Sequence, residues 1–166
     1  MNAGLLIAHA FLGGALVAHA LQKLLVFRPE GTAAYLDSLG FRSPRLMTAA
    51  VIATELVGGV LLALGLLLPL GAALVAGTMI VAARSDHLGK GWYISGAGAE
   101  YVVTNAVVAV ALAATGGGRY SFDAALGLQL SGLGWAAAVA VAAAAGAAVV
   151  LTTLRRRPAL VAAAGS

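Results

Sequence analysis

The 166-residue chain is 61% apolar and 10% charged, with a mean hydropathy of +0.98, which excludes an ordinary soluble domain and marks an integral membrane protein. Its net charge of +4 does not imply a nucleic-acid partner, because the ten Lys and Arg stand at helix ends or in Arg155-Arg156-Arg157 beside an apolar run. There is no cysteine, which removes disulfides, Cys-ligated clusters and intrinsic thiol chemistry.

The expected fold class is all-α: one transmembrane domain over 1–166, with five spans at about 3–26, 46–67, 70–87, 93–115 and 132–154. Each approaches the ~20 residues needed to cross roughly 30 Å of hydrocarbon. Before the first span there is no basic n-region, and the apolar run from Ala3 to Leu25 is too long for a signal-peptide core, so it reads as a retained helix. In the following loop, Tyr35, Leu36 and Leu39 recur at helical spacing opposite Asp37 and Ser38, which predicts a short interfacial helix closed by Gly40. Between Arg45 and Arg84 the sole charge is Glu55, and a continuous helix through those residues would be about 57 Å long. Gly65, Pro69 and Gly71 supply the break that folds this stretch into a helical hairpin. After the fourth span, Gly116-Gly117-Gly118 opens a loop in which Ser121 is an N-cap for a second short helix running to Leu130. The glycines lack the flanking residues of a nucleotide-binding loop. The last span is rich in alanine around Gly146, a smooth face suited to close packing on a partner protein.

Nine of the ten basic residues, namely Lys23, Arg28, Arg42, Arg45, Arg84, Lys90 and Arg155 to Arg157, fall on one side of this topology, and Arg119 alone on the other. The positive-inside rule then puts the C-terminus in the cytoplasm and the N-terminus outside.

Glu55 and Glu100 are expected within spans, where an ionised side chain costs about 2.5–3.5 kcal/mol on insertion scales and so asks for a partner or a function. By helix rise, His19 and Lys23 lie about 13 and 7 Å from Arg28, Glu55 about 15 Å from Arg45, and Glu100 about 12 Å from Trp92. With Arg84 these residues share the cytoplasmic half, and His19, Lys23, Glu55, Arg84 and Glu100 form a candidate buried polar cluster. Three readings of it stand side by side: ion pairs that pin helix register, a quinone or proton site, or polar contact with a partner or lipid headgroup. His9, His19 and His87 lie at different depths without metal-ligand spacing, so no metal or haem site is expected from this chain alone. Arg119 and Asp123, four apart, are expected to pair locally.

The set of Ala18-His19-Ala20-Leu21-Gln22-Lys23-Leu24, Glu55-Leu56-Val57-Gly58-Gly59, Trp92 with Glu100, and Gly116-Gly117-Gly118-Arg119-Tyr120-Ser121-Phe122-Asp123 resembles the DoxX family of small bacterial membrane proteins, over about residues 5–125. Two features depart from it. The family commonly has an arginine early in the first span where this chain has His9 nearby, and its core is a four-helix bundle to which 132–154 adds a fifth. The resemblance implies a signature loop at Arg119, Tyr120, Ser121 and Asp123, and a bacterial inner-membrane location. It also implies a subunit associated with a quinone-linked or oxidative-stress oxidoreductase system, with a bound quinone as its carrier. A non-catalytic scaffold or accessory subunit of a larger membrane complex is the alternative, with the fifth span as the candidate contact surface.

Overall fold

A computed structural model describes residues 2–155 as an all-α bundle. The helices are α1 (Asn2–Leu25), α2 (Arg28–Ser38), α3 (Pro44–Leu64), α4 (Leu68–Ala82), α5 (Glu100–Thr115), α6 (Phe122–Ala125) and α7 (Leu133–Thr153). After α4 the chain continues through a π-helical turn, Ala83–His87, and a 3₁₀ turn, Leu88–Lys90. Among the described residues, four helical stretches are long and apolar enough to cross a membrane: α1, α3, α4 with its extension to Lys90, and α7. Their mostly exposed apolar surfaces fit a bilayer, because lipid replaces water as the solvent of the bundle's outside.

The expected hairpin forms where glycine and proline demanded it. Gly65 closes α3 in the left-handed region at φ 61°, with Gly65 N–H donating to Leu62 O and Leu66 N–H to Leu61 O. Pro69 then stands in the first turn of α4, where a missing N–H costs nothing. At the same end the 116–125 loop is clamped onto this turn: Asp123 N–H donates to Gly65 O, and the buried Asp123 carboxylate accepts from Leu67 N at 2.7 Å and Leu68 N at 3.0 Å. These are the orphan amides of α4's start, so a carboxylate remote in sequence caps the helix and complements its dipole.

Adjacent glycines at 58 and 59 set the bundle's tightest crossings. Being about 100° apart on the helix, they face different neighbours. A Cβ on Gly59 would lie 2.8 Å from Gly13 O on α1, and one on Gly58 would lie 3.1 Å from the Val75 side chain and 3.3 Å from Gly71 O on α4. Gly13 is tighter still, since its Cβ would lie 2.2 Å from the Ala63 amide nitrogen and 2.4 Å from the Gly59 carbonyl. α3 is thereby held between α1 and α4, while α5 and α7 pack on α4, around Leu12, Leu16, Leu62, Leu68, Val75 and Leu112.

Two expectations are corrected. The 93–115 span begins at Glu100, and residues 93–99 fold instead as an interfacial loop with a 3₁₀ turn at Ile94–Gly96. Gly91, Gly96 and Gly98 make this possible: Ala99 N–H returns to Gly91 O, Glu100 N–H returns to Trp92 O, and a Cβ on Gly98 would lie 2.6 Å from Gly91 O. The second short helix is a single turn, Phe122–Ala125, because Gly127 at φ 70° ends it; Ser121 is its N-cap, with its side chain accepting from Ala124 N–H. The alanine face of α7 is partly used within the chain, since Val139, Ala143 and Ala147 are buried and Ala143 lies against Gly77 of α4.

The ends of the bundle sort by charge. Arg155 donates to Arg84 O and Ser85 O, and Arg42 N–H to Leu154 O, so these basic residues share one end. At the other, Arg119 N–H reaches the Asn2 side chain. Arg156 and Arg157 lie outside the described residues.

Candidate functional site

At the basic end, α1 and α3 run antiparallel from the Gly13–Gly59 crossing. Lys23 stands about 15 Å along α1 from that crossing, and Glu55 about 6 Å along α3. The lysine side chain therefore reaches inward, against its usual preference for extending toward the interface, and its Nζ donates to Glu55 Oε2 at 2.7 Å. The Glu55 side chain is 7% exposed and that of Lys23 21%, so the carboxylate is the deeper partner.

This ion pair borders a cavity of about 210 Å³ enclosed by α1, α2, α3, the end of α4 and the start of α5. His19 lines it one helical turn from Lys23, with its ring tilted against Tyr101 at 5.5 Å between centroids. Most of the remaining wall is apolar, including Leu16, Phe41, Met79 and Val102. α2 lies over the mouth and is tied to the end of α4 by Tyr35 OH, which donates to Asp86 Oδ2 at 2.6 Å. Burial, followed by the hydrogen bond to Asp86 and that carboxylate's charge, pushes the Tyr35 phenol up from 10.0 to about 12. Asp86 also pairs with Lys90, and His87 Nδ1 lies 2.8 Å from Ala97 O. The π-helical turn matters here. Its extra backbone width carries Ser85, Asp86 and His87 to the cavity wall, a use of π turns found at functional sites.

Three buried hydroxyls on this wall make no hydrogen bond: Thr32 Oγ1 on α2, Ser85 Oγ on the π turn and Tyr101 OH on α5. Tyr101 leans toward Asn105, one turn on, without completing a bond of standard geometry, and Asn105 Nδ2 is likewise unpaired. Buried polar groups are ordinarily satisfied, so three unpaired hydroxyls on separate elements stand out among the residues that line this cavity.

Of the five residues expected to cluster, the fold brings His19, Lys23 and Glu55 together and leaves two apart. Glu100 heads α5, where its charge complements the helix dipole and its Oε2 accepts from Ile94 N–H at 3.1 Å. Its displacement follows from the loop at 93–99. Arg84 is exposed beside Arg155, because the π turn aims Ser85 rather than Arg84 inward. In the 116–123 loop, Arg119 and Asp123 do not pair: the Arg119 guanidinium lies over the Tyr120 ring at 5.0 Å, while Asp123 caps α4. Sequence reasoning did not single out Thr32, Tyr35, Ser85, Asp86 or Tyr101 for this site. Tyr101 carried one available signal, its apolar neighbours Val102 and Val103, but nothing in the sequence pairs it with His19.

The DoxX family model matches residues 4–88, just over half of the chain. The chain belongs to the DoxX family. No curated protein and no solved structure gives a match. The matched region holds α1 to α4 and with them His19, Thr32, Lys23, Glu55 and Ser85. Tyr101 and α7 lie beyond it, as does the 116–123 loop on which part of the sequence resemblance rested.

Proposed function

We propose that this DoxX protein is the membrane subunit of a quinone-linked oxidoreductase system and that its cavity holds the quinone ring. The observation that carries the reading is that Thr32 Oγ1, Ser85 Oγ and Tyr101 OH, all buried and unpartnered, belong to residues lining one largely apolar space beside the Lys23–Glu55 pair. These donors fit a ring that is flat, apolar on its faces and carries acceptor oxygens on its edge. A volume of about 210 Å³ is below the ~300–1,000 Å³ of drug-sized pockets and suits a single substituted ring.

A bound quinone would accept two electrons, supplied by the redox centre of a partner protein, together with two protons. The chain's own residues provide for the protons and for selection. Tyr101, whose ring leans against His19, would donate its hydroxyl to one ring oxygen, and Ser85 or Thr32 would donate to another. Lys23 and His19 carry exchangeable protons at the cavity wall, and Glu55 holds the lysine ammonium there instead of at the interface. α2, fastened by Tyr35 to Asp86, excludes water from the mouth. The excess of basic residues at this end supports an inner-membrane protein whose cavity lies in the cytoplasmic half, with the N-terminus outside.

The test is saturable binding of a short-chain ubiquinone analogue to the purified protein in nanodiscs, followed by equilibrium dialysis. Wild type is expected to bind one equivalent, and the Thr32→Val, Ser85→Ala, Tyr101→Phe triple variant to lose most of that binding with its helical content intact. Equal binding by both proteins would refute the assignment of the cavity.

A further inference from the structure

α2 closes the cavity with little packing of its own. Thr32 and Leu36 are its two buried residues, and the Leu36 end is moored in a small apolar cluster with Phe41 and Met47. The other end borders open space on both sides. Toward α1 there is a hollow of about 440 Å³ beside Phe27 and Gly31, and toward the start of α3 a wide groove beside Pro29, Ala33 and Arg45. A segment with so few buried apolar contacts belongs to the low-stability end of a fold, from which moving lids are drawn.

The join to α1 is strained. α1 stops where the Val26 and Phe27 N–H groups both donate to Gln22 O, and the next residue, Arg28, stands in the left-handed region at φ 58°. Glycine adopts that region freely, whereas the Cβ of an arginine disfavours it. The direction of α1 turns into that of α2 at this residue, so the closed position of α2 is the one that demands the strained conformation. What opposes the strain lies across the cavity mouth. Tyr35 OH donates to Asp86 Oδ2 at 2.6 Å, and Asp86 Oδ1 accepts from Lys90. A hydroxyl bonded to a carboxylate makes a charge-assisted bond, stronger than one between neutral groups.

We propose that α2 is a hinged lid that turns about Arg28 when the Tyr35–Asp86 bond breaks, and that its opening admits the ligand to the cavity beside Lys23 and Glu55. Backbone strain at Arg28 favours the open position and Tyr35 the closed one, so the two residues set the open fraction from opposite sides. The inference concerns access to the site proposed above for a quinone. It requires only the cavity and the helix over it, so its failure and the failure of the quinone reading are separate results.

The chain has no cysteine, which allows a single thiol to be placed beneath the lid. Ser85→Cys puts one on the cavity wall without breaking a side-chain hydrogen bond, because the serine hydroxyl makes none. The full-length protein in nanodiscs is treated with a small methanethiosulfonate reagent, and the rate of modification is followed by mass spectrometry. Adding Tyr35→Phe is expected to speed modification about tenfold, the equivalent of one charge-assisted hydrogen bond. Adding Arg28→Asn, which lowers the cost of the left-handed conformation, is expected to slow it about threefold. Arg28→Gln removes the same charge without relieving that cost and should leave the rate within about twofold. A thiol in the packed core, Val75→Cys, should respond to none of these changes. An unchanged rate with Tyr35→Phe overturns the proposal, and so does a rate with Arg28→Asn that equals or exceeds the parent's. A matching rise at Val75→Cys overturns it too, since the whole bundle has then loosened. Rates that behave as expected in a protein that binds no short-chain ubiquinone analogue refute the quinone reading and leave the lid standing. Should Ser85→Cys not fold, Val102→Cys on the α5 wall of the same cavity takes its place.

Discussion

Breaking the Lys23–Glu55 pair from its two sides should give unequal losses. In Lys23→Met the Glu55 carboxylate, 7% exposed and with no second ion-pair partner among the described residues, is left in the bundle without a counter-charge. Removing one partner of a buried pair costs about 3–5 kcal/mol. In Glu55→Gln the lysine is 21% exposed and stands near the end of α1, so its flexible stem can swing the ammonium to the interface at a cost of about 0–1 kcal/mol. The double variant Lys23→Met, Glu55→Met removes both charges and should recover most of the loss, since apolar replacement of a buried pair is neutral or stabilising by about 1–4 kcal/mol. Reversible unfolding in mixed micelles, followed by helical circular dichroism, gives all three values in one cycle. The reasoning fails if Glu55→Gln costs as much as Lys23→Met, or if the double variant is no better than the worse single one.

Other outcomes follow from local geometry. Asp123→Ala removes both acceptors from the start of α4 and should cost about 1.5–3 kcal/mol in the same unfolding assay, with Asp123→Asn losing part of that because its amide keeps one acceptor oxygen. Gly13→Ala drives a methyl group into the backbone of α3 and should destabilise by about 1–3 kcal/mol, whereas Gly14→Ala, with nothing within 4 Å, should stay within about 0.5 kcal/mol of wild type. The Tyr35 phenol, raised to about 12, should ionise late in an absorbance titration near 295 nm, and Tyr35→Phe should delete that late step. Because the folded protein favours the protonated phenol, its contribution to stability is complete below pH 10 and is lost as pH rises through about 12.

The composition and the hydrophobic runs were enough to read a helical membrane bundle, because a bilayer leaves the backbone few ways to satisfy its hydrogen bonds. The hairpin at Gly65 and Pro69 was equally legible, since those residues act through their own dihedrals. The glutamates show where such reading stops. Both sat in apolar sequence, yet Glu55 is buried against Lys23 while Glu100 caps the loop before its own helix. What separates them is backbone hydrogen bonding between residues 91–92 and 99–100, a tertiary closure that a hydropathy window averages away.

The sequence by itself determined the solvent of this protein, its all-α class, the placing of its basic residues near the ends of apolar runs and the presence of an ionisable group at Glu55. Those properties depend on residue type and on spacing along one helix. Tertiary structure alone decided that Gly58 and Gly59 face different neighbours and that a π turn brings Ser85 inward. It also set Tyr101 against His19, and it left three hydroxyls from distant segments without partners around one cavity. Such contacts depend on the rotation of each helix about its axis, and that rotation is set by the packing of all the others.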